Sequence, residues 1–217
     1  MDEVLSEEKK ELRYAVTYSL LLTALPLVVL IVGEAFGLNI RQYGMRPLEP
    51  SGLWGILTMP LLHADWEHLI SNTPPMLLLI FGLFLFYKRV AWRILVYIWV
   101  VSGLLTWFMG RQSTHIGASG LVYALAAFHF LSGVIKKVPR QRAFALLVSF
   151  LYGGFVWAFF PTLYAGTNIS WEGHLSGLLA GILLAVYFRH EGPEPPVSPF
   201  ANEEDEEDEI FMEDEQK

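Results

Sequence analysis

Six apolar segments, each long enough to cross a bilayer as a helix, decide what this chain can fold into. They cover residues 14–33, 69–87, 91–109, 116–135, 143–164 and 173–188, and a helix needs about 20 residues to span roughly 30 Å of hydrocarbon. The last is short and is expected to begin a turn earlier. The expected fold is therefore an all-α membrane protein, a bundle of six transmembrane helices. Composition agrees, with 53% hydrophobic residues, 14% aromatic residues and a mean hydropathy of +0.41, values that exclude an ordinary soluble domain. The first segment follows the mixed-charge stretch MDEVLSEEKKELR and lacks a small-residue cleavage site, so it is expected to be a retained anchor and not a signal peptide.

Charge gives the orientation. Lys9, Lys10, Arg13, Lys88, Arg89, Arg93, Lys136, Lys137, Arg140, Arg142, Arg189 and Lys217 gather on one side of the six spans, twelve residues against Arg41, Arg46 and Arg111 on the other. Lys and Arg near span ends stay cytoplasmic, which places both termini inside and lets spans two, four and six enter from the outer face. The net charge of −7 hides a division: residues 191–217 carry −11 and residues 1–190 carry +4. Three regions follow, a cytoplasmic segment 1–13, a six-span core 14–190 and an acidic cytoplasmic tail 191–217. The tail is rich in Pro and acid with little to bury, so it is expected to be disordered. The chain has no cysteine, which excludes disulfides, thiolate zinc ligands and a cysteine nucleophile. The outer segment from residue 36 to about 66 is too long for a simple connector and is expected to pack on the membrane surface.

Polar residues inside such spans are expensive and mark sites when they coincide in depth. His68 stands at the outer end of span two, Ser119 three residues into span four, and His174 at the outer end of span six. His129 lies ten residues beyond Ser119, about 15 Å deeper at 1.5 Å per residue, and is expected to serve structure by hydrogen bonding inside the bundle. His63, His115 and His190 are expected to be solvated. His68 and Asn72, four residues apart, share one helix face and can both donate hydrogen bonds, as a developing oxyanion requires. Pro74 and Pro75 remove two backbone donors and should kink span two.

Gly173, Gly177 and Gly181 recur every four residues and form a smooth face for close helix approach. His174 adjoins that face, and the small residues around Ser119 in HIGASGLVY are its natural partner. Contact there would bring His174 within reach of Ser119. A serine is a weak nucleophile until a base takes its proton, and histidine suits that task because its pKa lies near neutrality. Glu172, two residues before His174, does not share its face and is not expected to complete a triad. HADWEH separates His63 and His68 by five residues, one more than a helical zinc pair needs, so no metal site is expected.

At these residues the chain resembles the rhomboid intramembrane serine proteases. The resemblance covers residues 14–190 and rests on HxxxN in span two (His68, Asn72), GxSG in span four (Gly117, Ser119, Gly120), Tyr123 four residues later, and GHxxGxxxG in span six (Gly173, His174, Gly177, Gly181). It implies a serine endopeptidase with Ser119 as nucleophile and His174 as general base. It further implies an oxyanion hole formed by His68, Asn72 and the Ser119 N–H, with Tyr123 stacked under the imidazole. Single-span transmembrane substrates in a lipid bilayer, cut near their outer end, are the implied partners, with no cofactor, metal or nucleic acid. The rival reading is a non-catalytic relative that binds transmembrane clients, though such relatives typically lose the serine or the histidine. The chain departs from the family where a frequent Trp-Arg pair reads Trp54-Gly55, and where a frequent acidic residue after span two is replaced by Lys88 and Arg89.

Overall fold

A computed structural model describes residues 2–153 and 170–194. Its helices in chain order are α1 (Asp2–Ala35), α2 (Gly55–Thr58), α3 (Trp66–Tyr87), α4 (Ala91–Met109), α5 (Ser119–Lys136), α6 (Pro139–Tyr152) and α7 (Trp171–Tyr187). No strand occurs among the described residues, whose β-pairing amounts to one isolated antiparallel bridge between Met45 and His115. α1, α3, α4 and α5 are long and apolar enough to cross a membrane, and α7 is a shorter apolar helix. The chain is thus an integral, multi-pass membrane protein with the all-helical architecture read from the sequence. Residues 154–164 of the fifth expected span lie outside the described residues, as do residues 195–217 of the tail.

α3, α4, α5 and α7 bury a common apolar core that includes Leu79, Leu83, Ile94, Ile98, Leu125 and Phe128. Outward-facing positions are apolar too, among them Leu20, Val28, Val96, Phe130 and Leu183. A water-soluble fold would not expose such a belt, whereas lipid covers it at no cost. α1 outlasts the membrane: its 34 residues extend about 50 Å at 1.5 Å per residue, so its mixed-charge first turns project beyond the hydrocarbon.

Contacts fix which helix ends share a side. At one end Lys88, after α3, pairs with Glu11 of α1 at 2.6 Å, and Arg93 of α4 pairs with Glu191 beyond α7. At the opposite end residues 36–65 fold as short helical turns against α4. Trp99 and Trp107 of α4 donate their indole N–H groups to the carbonyls of Ile56 and Glu49, each at 2.9 Å. Gly55 lies so close to Met45 that a Cβ would fall 2.2 Å from the Met45 Cα. No larger side chain fits there, which accounts for the glycine at position 55.

Two helix starts matter for the site. α7 begins at Trp171, ahead of the apolar segment as expected, because Ser170 caps it by accepting the Gly173 N–H at 3.1 Å. α5 begins at Ser119, three residues later than expected. The cause is Gly117, whose φ of +113° lies outside the helical region and which only glycine adopts without strain. α3 continues as helix across Pro74 and Pro75, with Thr73 returning its hydroxyl to the Leu69 carbonyl at 2.8 Å.

Candidate active site

The glycine faces of α5 and α7 build this site. A Cβ at Gly177 would fall 2.1 Å from the Gly120 carbonyl oxygen, and one at Gly181 would fall 2.2 Å from that of Ala124. Both are backbone collisions, so the two helices meet main chain to main chain, the closest approach that small residues permit. At the top of this seam a Cβ at Gly120 would sit 3.1 Å from the Gly173 carbonyl. Ser119, half-buried, immediately precedes Gly120, and His174, 7% exposed, immediately follows Gly173. The two residues therefore stand on adjoining first turns of neighbouring helices. One turn after Ser119, the Tyr123 ring stacks on the His174 imidazole with centroids 4.3 Å apart and an interplanar angle of 18°. That stack fixes the plane of the imidazole.

The position of Ser119 as the first residue of α5 changes its chemistry. The opening turn of a helix has N–H groups with no acceptor within the helix, and the helix dipole places partial positive charge there. A serine three residues inside the helix, as expected from sequence, would have lacked this. Ser119 instead stands at the helix end where N–H groups without a helical acceptor lie.

His68 completes one wall. A Cβ at Gly117 would lie 2.6 Å from its Cε1, so the imidazole rests on the backbone two residues before Ser119. Asp65 caps α3 by accepting the His68 N–H at 2.8 Å. Asn72, buried one turn further on, donates through Nδ2 to the His68 carbonyl at 2.8 Å. That bond uses one of its two amide hydrogens, leaving the other free of it. The structure thus brings Ser119, His174, Tyr123, Gly117, Gly120, Gly173, Gly177 and His68 together, with Asn72 turned toward its own helix.

Two histidines expected in solvent are buried instead. His63 is 1% exposed and His115 is 2% exposed, because the segments carrying them fold back over the bundle. His63 accepts the Ala118 N–H through Nε2 at 3.4 Å, and its ring meets the His68 ring edge-on at 4.9 Å. His115 bonds the Arg111 carbonyl through Nε2 at 3.0 Å and the Ser170 hydroxyl through Nδ1 at 2.6 Å. A carbonyl can only accept, so Nε2 carries the proton and Nδ1 receives the Ser170 O–H. Ser170 in turn caps α7, so His115 ties the chain before α5 to the first turn of the helix bearing His174. Glu172, 4% exposed, faces Arg111 at 3.7 Å and adds a second tie. Sequence offered a signal for Ser170, a cap residue just before an apolar run, and none for the burial of His63 and His115. The two remaining histidines match expectation: His190 is exposed, and His129 is fully buried with Nε2 bonded to the Leu79 carbonyl at 2.9 Å. Among the described residues no group of three or more acidic or histidine side chains could hold a metal ion.

Burial, with a smaller contribution from His68, holds the His63 imidazole down to about 4 from its ordinary 6.5. The unfolded chain then binds a proton near pH 6.5 that the folded chain refuses until near pH 4. Stability should be level above pH 6.5 and fall as pH drops through that window, by about 3 kcal/mol. Thermal unfolding in detergent across this range, compared between the native chain and His63→Gln, should show a shallower fall in the variant, smaller by the share that His63 contributes. Parallel pH profiles would mean that His63 is not held neutral.

The sequence profile of the Rhomboid domain matches residues 50–191. An uncharacterised protein of Mycobacterium tuberculosis is 36% identical over 189 residues, covering 83% of this chain and 78% of its own length. A protein of Mycobacterium bovis gives the same values. A protein of Acanthamoeba polyphaga mimivirus, named as a rhomboid protein, is 26% identical over 132 residues, 58% of this chain and 70% of its own.

Proposed function

The chain belongs to the rhomboid family, and from that premise we propose that it is an intramembrane serine protease with Ser119 as nucleophile and His174 as general base. The observation that carries this reading is the His174–Tyr123 stack across the glycine seam, which orients an imidazole beside a serine that opens a helix. Ser119 Oγ attacks the carbonyl carbon of a peptide bond as its proton passes to His174. The oxyanion accepts hydrogen bonds from the Ser119 N–H, His68 and Asn72. The C–N bond then breaks as His174 returns the proton to the leaving amine, leaving an ester on Ser119. Water attacks the ester as its proton passes to His174, and the ester C–O bond then breaks as His174 returns that proton to Ser119 Oγ, releasing the acid and the free serine. Glu172 faces Arg111, which supports a dyad without a carboxylate.

The substrates are single-span membrane proteins, whose helix must unwind near the site to expose a peptide bond. A fluorophosphonate probe tests the assignment directly: the native protein should be labelled and Ser119→Ala should not. A native protein that resists the probe and cleaves no transmembrane substrate would instead be a client-binding member of the family.

The oxyanion assignment predicts that Asn72→Ala lowers turnover by about 10²–10³-fold while slow probe labelling of Ser119 persists. Its remaining amide hydrogen is the group at stake. Cleavage at the native rate would remove Asn72 from the site.

We further place the protein in the cell membrane with its basic end and both termini cytoplasmic, supported by the twelve-to-three division of Lys and Arg. The cysteine-free chain makes this simple to check. In intact cells an impermeant maleimide should label Arg46→Cys and spare Lys137→Cys, and the reverse pattern would invert the topology.

A further inference from the structure

The chain leaving α7 does not run away from the bundle. Phe188 is buried under the Arg93 guanidinium, which lies 5.4 Å from its ring centroid, and Arg93 also pairs with Glu191. Gly192, with φ of +88°, then turns the backbone flat against the Tyr87 ring, where a Cβ would come within 2.7 Å of it. Glu191 and Glu194 come within electrostatic reach of Lys136 at the end of α5. In four residues the chain crosses from α7 over the α3–α4 junction toward the turn joining α5 and α6.

That turn is cationic. Lys136, Lys137, Arg140 and Arg142 lie within seven residues. None of them forms an ion pair among the described residues, whereas Lys88 and Arg93 nearby are both paired. Ten acidic residues follow in 203–215. Eight residues lie between Glu194 and Glu203, a reach of at most about 30 Å, against helix spacings of about 8–10 Å, so the acidic run can reach the whole basic end.

We propose that the α5–α6 turn is a docking surface for the chain's own acidic segment 203–215. Each surface ion pair is weak singly and screened by salt. Tethering compensates, because it holds ten carboxylates near the turn at an effective concentration that free anions do not match. A basic cluster at a cytoplasmic membrane surface otherwise recruits anionic lipid headgroups. The tail is therefore an internal competitor that keeps those headgroups off the turn.

A zero-length carbodiimide, which joins carboxylates to lysines in contact, tests this on the full-length protein in bilayers of neutral phosphatidylcholine. The Lys88–Glu11 pair, at 2.6 Å, serves as internal control. At low salt, mass spectrometry should find Lys136 and Lys137 joined to acids in 203–215. The yield should fall about tenfold in 0.5 M NaCl, where screening is short-ranged, and also when phosphatidylglycerol makes up a third of the lipid. Arg140→Glu with Arg142→Glu should reduce it at low salt while leaving the control link intact. Detecting the control link without links from Lys136 or Lys137 would overturn the proposal. So would links that join differently isotope-labelled copies, since the tail would then dock on a second molecule. Links that persist undiminished under phosphatidylglycerol would overturn the competition with lipid. None of these readouts depends on proteolysis, so their failure leaves the assignment of Ser119 untouched.

Discussion

Ser119→Ala, His174→Ala and the double variant should be equally inactive, each slower than the native chain by on the order of 10⁴–10⁶-fold on a transmembrane substrate. The expectation rests on the two residues acting as one unit. Without the base, the serine hydroxyl is hardly ionised, and without the serine, the base has nothing to activate. Removing the second group then costs little more than removing the first. Tyr123, which fixes the imidazole plane, should behave differently. Tyr123→Phe keeps a stacking ring and should remain active. The measurement is initial cleavage rate per folded molecule for all four variants. Losses that multiply in the double variant would mean that the residues act independently and that another group serves as base.

Gly177→Ala should also be damaging, though less so, while touching no reacting atom. Its added methyl would lie 2.1 Å from the Gly120 carbonyl oxygen, and main chain cannot rotate out of the way as a side chain can. The seam must open by an ångström or more. Overpacking of this kind costs about 1–3 kcal/mol, and a 1 Å displacement between catalytic groups costs about 10²-fold in rate. Gly153→Ala is the control, since no described residue lies within 4 Å of its Cβ position. The expected pattern is a lower melting temperature with activity down about 100-fold for Gly177→Ala, and neither change for Gly153→Ala. Native activity in Gly177→Ala would show that the seam does not set the geometry of the site.

The apolar spans were legible because a bilayer leaves the backbone few choices, and the runs that satisfy it are long and local in sequence. α4 was read to the residue, 91–109. The glycine seam was legible for a similar reason, since a four-residue spacing is a local signal for a face. What escaped depended on chain folding back from a distance. His63 and His115 look like loop residues until residues 36–65 and 110–118 close over the bundle, joined by the Met45–His115 bridge. The start of α5 was misplaced because Gly117 reads as one more small helical residue, and its positive φ arises only where the chain must turn beneath His68. That error concealed the feature that gives Ser119 its N–H neighbours.

The ties that His115 and Arg111 make to the start of α7 have a consequence for the order in which the protein comes into being. Synthesis delivers Ser119 to the membrane more than fifty residues ahead of His174, and α7 must then slot against both α4 and α5 before Ser170 and Glu172 can meet their partners. A nascent chain lacking α7 carries the proposed nucleophile and no base beside it. Under the proposed Ser119–His174 assignment, hydrolytic competence is the last property the molecule acquires, and a chain that stops short of α7 has no means of cutting the helices being inserted alongside it.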